Sequence, residues 1–136
     1  MKENQPQSEF KGINTGLKQL NTVTGGWQKG DLVLLASRPK MGKTRMMIFF
    51  AKTAAVEGLP VCVYSIESNK EAITKLLMLS FSNLSDSSEL PIRFHKDESD
   101  KSLEGYGEII IAKNLHGPIQ NVPYKYNKSM TKLSDY

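Results

Sequence analysis

Asp31-Leu-Val-Leu-Leu-Ala-Ser37-Arg38-Pro39-Lys40-Met41-Gly42-Lys43-Thr44 passes from a short, almost wholly apolar run into a loop and then into a helical pattern. Residues 31–36 have the composition of a strand buried on both faces, as in a parallel sheet covered by helices. Residues 37–43 hold Pro39 and Gly42 and read as a loop. From Thr44 to Glu57 the pattern is helical and apolar enough (Met47, Ile48, Ala51, Ala54, Ala55) to lie on a sheet, and Gly58 and Pro60 end it. Val61-Cys-Val-Tyr-Ser-Ile66 is a second apolar run, and a second helix is expected over Asn69–Leu79. Upstream, Ile13, Leu17, Leu20 and Val23 suit a short helix over 13–24 with Asn14 or Thr15 as its N-cap, broken at Gly25-Gly26. Strand, loop, helix, strand, helix is the order of an α/β fold with a parallel sheet and right-handed crossovers.

A glycine and a lysine between a buried strand and a helix start form the context of a phosphate-binding P-loop. The first N–H groups of a helix have no intrahelical partner, and the helix dipole favours an anion beside them. Gly42 keeps a Cβ out of the phosphate's way. In such a loop Lys43 reaches the β and γ phosphates and the Thr44 hydroxyl holds Mg²⁺. Ser37 stands where the first glycine of the pattern is usual. Arg38 and Lys40 flank the loop and either touch phosphate or a neighbouring subunit or stay solvated. Glu67 closes the second apolar run at the carboxyl edge of the expected sheet, where open α/β sheets hold their ligands. Two readings stay open there: a carboxylate that polarises the attacking water, or an acid that favours the dipole of the helix after it.

Beyond Leu79 the chain changes character. Residues 81–90 are a Ser-rich linker, residues 91–95 a candidate short strand, and residues 96–105 charged and loop-like. Glu108–Lys113 is a clear strand pattern, Asn114–Gly117 is turn material, and Ile119–Tyr126 can return antiparallel as a hairpin. Pro118 and Pro123 suggest that the returning strand is an edge.

The 136 residues make one domain, and 39% apolar with 24% charged residues excludes largely disordered and collagen-like classes. No apolar run approaches the length of a membrane span. Met1 to Lys11 is polar, so residues 1–12 read as a flexible lead without a secretory signal. The single cysteine, Cys62, fits a reducing, cytoplasmic setting and reads as a small buried hydrophobe. Residues 1–52 carry nine Lys or Arg against three acids, residues 53–111 five against ten, and residues 112–136 four against one. The basic ends suggest nucleotide phosphate or nucleic acid, or simply solvated lysine faces. His95 and His116 have no metal-ligand spacing, and Trp27, Phe49, Phe50 and Phe81 read as packing or interface residues.

Ile13-Asn-Thr-Gly16, Thr24-Gly25-Gly26, Gly30-Asp31-Leu32, Arg38-Pro39, Met41-Gly-Lys-Thr44 and Ser65-Ile-Glu67 together resemble the ATPase domain of DnaB-type replicative helicases. Phe94-His-Lys-Asp-Glu98, Gly107-Glu-Ile-Ile-Ile-Ala-Lys113 and Gly117-Pro-Ile119 resemble that family's last strands. The resemblance implies a RecA-like core divided into a β-α-β-α half over 13–80 and closing strands over 91–136. It implies ATP and Mg²⁺ at subunit interfaces, a homo-oligomeric ring, and single-stranded DNA in the channel. Lys43 and Thr44 take the P-loop roles, Glu67 that of the catalytic glutamate, and Lys113 that of the hairpin lysine that reaches a neighbour's γ phosphate. Several of the family's features have no counterpart here, among them the glutamine-bearing sensor strand and the DNA-binding loops of its central region. The strand and aspartate that orient Mg²⁺ are missing, and the arginine-finger position holds Leu115. The sequence resembles a helicase domain with its middle deleted, which leaves two apolar strand edges unpaired. The gap can close by direct pairing of 32–36 with 61–66, be filled by the hairpin at 108–113 from this chain or a partner, or stay open and aggregate; the hairpin is the expected outcome, giving a swapped dimer or larger ring. The rival reading is a non-catalytic truncated paralogue that joins or regulates a full-length helicase ring; a third is a decayed gene.

Overall fold

The computed structural model describes residues 11–81, 105–127 and 132–136. Its elements are α1 (Lys18–Thr24), α2 (Lys43–Val56), α3 (Lys70–Phe81), β1 (Tyr106–Ile110), β2 (Asn121–Tyr126) and β3 (Leu133–Asp135). The Ser-rich linker from residue 82 onward and the strand expected at 91–95 lie outside the described residues.

The first helix starts later than its apolar spacing suggests. Ile13 is taken up by a bridge to Trp27, with both N–H···O bonds at 2.9 Å. Asn14 and Thr15 build the turn before α1 instead of capping it. Asn14 Oδ1 accepts from Gly16 N–H at 2.8 Å and from Asn21 Nδ2 at 2.7 Å, while Thr15 N–H donates to Asn21 Oδ1 at 2.9 Å. Short polar side chains offer the backbone such alternatives to helix. Leu17 is the N-cap residue. Leu17, Leu20 and Val23 then bury one stripe of α1 in the core, beside Met46 of α2 and Ile111, Val122, Tyr124 and Leu133 of the sheet side.

The other two helices follow their sequence signals closely. Trp27 packs edge-on against Phe50 of α2, with ring centroids 5.4 Å apart, and Phe49 lies edge-on to Phe50 at 5.8 Å. These three aromatics are packing residues. Asn69 caps α3, its Oδ1 accepting Ala72 N–H at 2.9 Å. At the far end of α3, Lys52 of α2 donates to the Ser80 carbonyl and sits 5.0 Å from the Phe81 ring centroid.

The sheet is three-stranded and antiparallel, in the order β1-β2-β3. A hairpin forms with Ile109 opposite Val122 and Gly107 opposite Tyr124, its first strand running over Tyr106–Ile110 and not to Lys113 as expected. Its turn rests on the end of α1, where Asn114 Nδ2 donates to the Val23 carbonyl at 3.0 Å. A Cβ on Gly117 would stand 2.3 Å from that same carbonyl oxygen, so only glycine allows this approach. The expectation of an edge strand fails, because β3 pairs along the other side of β2 and makes it central. Pro123 is tolerated for a local reason. Ile111 and Tyr126 N–H bond across the β1–β2 pair, so alternate residues of β2, Pro123 included, face the β3 side. Pairing with β3 runs from Tyr126 to Tyr124 and stops short of Pro123, so the missing N–H breaks no ladder bond.

The parallel sheet does not form among the described residues. Segments 31–36 and 61–66 are irregular and unpaired. Leu32 is 92% exposed, Tyr64 90%, and Ile66 fully exposed. Cys62 is exposed too, not a buried hydrophobe. The cause is pairing, not composition: an apolar run becomes a central strand only when neighbouring strands take its N–H and C=O groups. This chain's own hairpin does not fill the gap among the described residues, where β1 pairs with β2 alone.

Candidate functional site

The loop at 37–44 runs straight into α2, and its geometry comes from two left-handed residues. Lys40 has φ 64° and Gly42 has φ 82°. Gly42 is the N-cap residue, and its left-handed conformation is the one that glycine adopts without steric cost. Met41 N–H bonds to the Arg38 carbonyl at 3.3 Å and closes the turn that Pro39 opens. No side chain caps α2 and no acid stands in its first turn. The first N–H groups of this 14-residue helix thus have no side-chain cap, and Lys43 and the buried Arg45 stand in its first turn. Lys43 bends back over the loop, its Nζ 3.4 Å from the Ser37 carbonyl oxygen. Ser37 Oγ donates to the Arg38 carbonyl at 3.0 Å. Ser37, Arg38, Pro39 and Lys40 are exposed, and Met41 to Thr44 half-buried. Main-chain N–H groups and an ammonium are the kinds of donor that suit an anion.

Glu67 is exposed in a turn that Ser65 ties, its Oγ donating to the Ser68 carbonyl at 2.8 Å and accepting Ser68 N–H at 3.1 Å. No bond joins Glu67 to loop 37–44 among the described residues. Lys113 is exposed just past β1, and Leu115 is 79% exposed in the turn that follows. Among the described residues no group of three or more His, Cys, Asp or Glu side chains could hold a metal ion.

Two contacts were not legible in the sequence. Asn14 Nδ2 donates to Glu57 Oε1 at 2.7 Å, tying the first turn to the end of α2. His116 Nε2 lies 3.2 Å from Asp31 Oδ1, tying the hairpin turn to the start of the exposed apolar run. Neither has a local signal, since the partners stand 43 and 85 residues apart. A cleft of about 510 Å³ opens beside Lys11, Ile13, Trp27, Lys29, Glu57 and Leu59, away from every residue of loop 37–44.

The His116 hydrogen bond, with help from Gln28 N–H donating to Oδ2 at 3.1 Å, holds the Asp31 carboxyl below its ordinary value. A depressed carboxyl stabilises the fold above its unfolded value, and that contribution fades as pH falls through the folded one, below about pH 4. His116→Ala should therefore raise the Asp31 pKa toward that of a free aspartate in a carboxyl NMR titration. An unchanged Asp31 curve would contradict the clasp. Elsewhere, burial pushes the Tyr124 phenol up and the Lys52 ammonium down.

Among the described residues no helix is long and apolar enough to cross a membrane. No solved structure matches the chain. Curated relatives do. The replicative DNA helicase DnaB of Rhodothermus marinus is 39% identical over 70 residues, covering 49% of this chain and 7% of the relative. That of Nostoc is 41% identical over 70 residues, covering 51% and 8%. That of Buchnera aphidicola from Baizongia pistaciae is 37% identical over 82 residues, covering 60% and 18%. The matched region is thus less than a fifth of each of these relatives' length. Residues 12–90, more than half of the chain and with loop 37–44 and Glu67 inside them, match the DnaB-like helicase C terminal domain, and the closing hairpin lies outside that match. The chain belongs to the DnaB-like helicase C-terminal domain family.

Proposed function

We propose that the chain is an ATP-binding P-loop relative of the replicative helicases, taking the nucleotide phosphates at the amino end of α2. One observation carries this reading: an uncapped 14-residue helix opens on a left-handed Gly42, with Lys43 over the loop. The residues fit the group, because the donors are main-chain N–H groups and an ammonium and no carboxylate stands in the first turn. Lys43 would hold the β and γ phosphates, Thr44 would offer its hydroxyl to Mg²⁺, and Ser37 to Met41 would line the approach. The bound nucleotide would bring Mg²⁺ chemistry that this chain completes poorly. Glu67 would polarise water, and Lys113 would reach a neighbour's phosphate, but nothing here supplies the magnesium aspartate, and Leu115 cannot supply a finger. ATP binding without efficient turnover is the function proposed. Calorimetric titration with ATP or ADP should give binding that Lys43→Ala weakens by ten- to a hundredfold, the worth of hydrogen bonds to a charged group. Equal affinity in the two proteins would overturn the reading.

A second reading, a non-catalytic partner of a full-length helicase ring with a RecA-like parallel sheet completed on assembly, is favoured by segments 31–36 and 61–66. Leu32, Leu34, Tyr64 and Ile66 are at least 85% exposed. Unpaired apolar edges of this kind are templates for another chain's strand. The two readings are compatible, since a regulator can carry a nucleotide.

A further inference from the structure

We propose that the cleft beside Trp27 binds a small aromatic acid, its ring against Trp27 and its carboxylate meeting Lys11 and Lys29. The cleft measures about 510 Å³, a volume in the range of small-molecule sites. Segments far apart in sequence form it. Residues 11–13 lie along 27–29 through the Ile13–Trp27 bridge, and Glu57 and Leu59 wall the side where α2 ends. A Cβ on Gly12 would stand 2.5 Å from Gln28 Nε2 and 2.6 Å from the Gly25 carbonyl oxygen, so glycine is what lets the first two segments lie this close. The main-chain donors of the walls are already spent. Ile13 and Trp27 bond each other, Gly12 N–H bonds the Gly25 carbonyl at 2.9 Å, and the Glu57 and Leu59 N–H groups turn back to the Thr53 and Ala54 carbonyls at 3.3 and 3.1 Å. Side chains therefore select the ligand.

Two of the lining side chains are cationic and one is acidic. Among the described residues neither Lys11 nor Lys29 has an ion-pair partner. The one acid, Glu57, already has Oε1 engaged by Asn14 Nδ2 at 2.7 Å. The balance favours a single negative charge on the ligand. The other half of the lining is apolar: Ile13, Trp27 and the 37% exposed Leu59. Trp27 is fixed twice, by both main-chain bonds of the bridge and by Phe50 edge-on at 5.4 Å. A wall formed before the ligand arrives costs little ordering on binding. Few charged groups set against an apolar, aromatic wall suit an acid carried on a flat apolar body. No residue of loop 37–44 lines the cleft, so this site does not rest on nucleotide binding there.

Trp27 is the chain's one tryptophan, so its indole N–H gives a single signal that reports on the cleft. Titration of the intact chain with 3-phenylpropionate, in low-salt buffer without nucleotide, should move that signal along a saturating curve. Two controls separate the halves of the ligand. Acetate, the same head without the ring, should bind at least about tenfold more weakly, the worth of burying the ring. The neutral amide 3-phenylpropionamide should bind about fivefold or more weakly than the acid. Lys11→Gln and Lys29→Gln should each weaken the acid by about two- to fivefold, the range of exposed charge pairs, and Glu57→Gln should tighten it by a similar factor. Both lysines are exposed, so these variants keep the fold, which their amide spectra check. No saturating movement of the indole signal, an amide or acetate that binds as tightly as the acid, or lysine variants that both bind like the parent would each overturn the proposal.

Discussion

Leu17→Ala should cost the fold about 2–5 kcal/mol, the usual range for truncating a buried leucine. Leu17 is fully buried and sits where the α1 stripe, Met46 and the sheet converge. The cavity opens where the neighbours are fixed from several sides. Thr15 is also fully buried beside it, bonded to Leu17 N–H at 3.2 Å, so little can collapse into the space. Single domains are stable by about 5–15 kcal/mol, so the loss is a large share of the total. Urea unfolding followed by circular dichroism measures it. Leu34→Ala is the control, since Leu34 is 85% exposed and a change there should stay within about 0.5 kcal/mol. Equal losses at the two positions would mean that 31–36 is buried in solution.

The isolated chain should hydrolyse ATP far below about 1 s⁻¹, the low end of ordinary enzyme turnover. Preorganised charge around the transferring phosphoryl group is the main source of rate in such chemistry. On the proposed reading the family's magnesium aspartate has no counterpart here, and the position taken as that of an arginine finger, worth about 10³–10⁵ in rate, holds Leu115. Glu67 is exposed and joined by no described bond to the loop it would serve, which adds a positioning deficit. A phosphate-release assay measures the rate, and turnover near 1 s⁻¹ alone would show that the missing groups are supplied from elsewhere in the chain. The same protein mixed with a full-length helicase should co-elute with the ring in gel filtration with light scattering, if the exposed segments find their strands there. Separate elution would leave the ring-partner reading without support.

The elements that the sequence states well are those with punctuation next to them. Gly42 before and Gly58 after fix α2 to within a residue of its expected span, and Asn69 marks the start of α3. The hairpin is equally plain, because an apolar run, a turn rich in Asn, Gly and Pro and a returning strand follow one another locally. The start of α1 is harder. Asn14 and Thr15 have the chemistry of caps, but Asn14 spends it on Gly16 and Asn21 and Thr15 on Leu17, a choice settled by tertiary packing. Segments 31–36 and 61–66 show the limit of pattern reading most clearly. Their composition names a strand, yet a strand exists only with a partner, and a partner is not a local property of the chain. Short β3 carries too few residues for any period to register, and with it went the central position of β2.

The candidate site divides along the same line. Loop 37–44 is legible because its chemistry is contiguous: a left-handed glycine, a lysine and a helix start need only each other. Glu67 and Lys113 belong to the site only through the sheet and subunit arrangement that would bring them there. The contacts between His116 and Asp31 and between Asn14 and Glu57 join distant residues by single hydrogen bonds, which leave no mark in composition or spacing.

The loop's role is tested most directly by amide ¹H–¹⁵N spectra recorded during titration with Mg-ADP. Shifts are expected to concentrate at residues 38–46, where the N–H groups of the loop and first helical turn meet the phosphates, and to need about ten- to a hundredfold more Mg-ADP in Lys43→Ala. An unperturbed loop, or shifts confined to the cleft beside Trp27 and Lys29, would contradict a phosphate site at the head of α2.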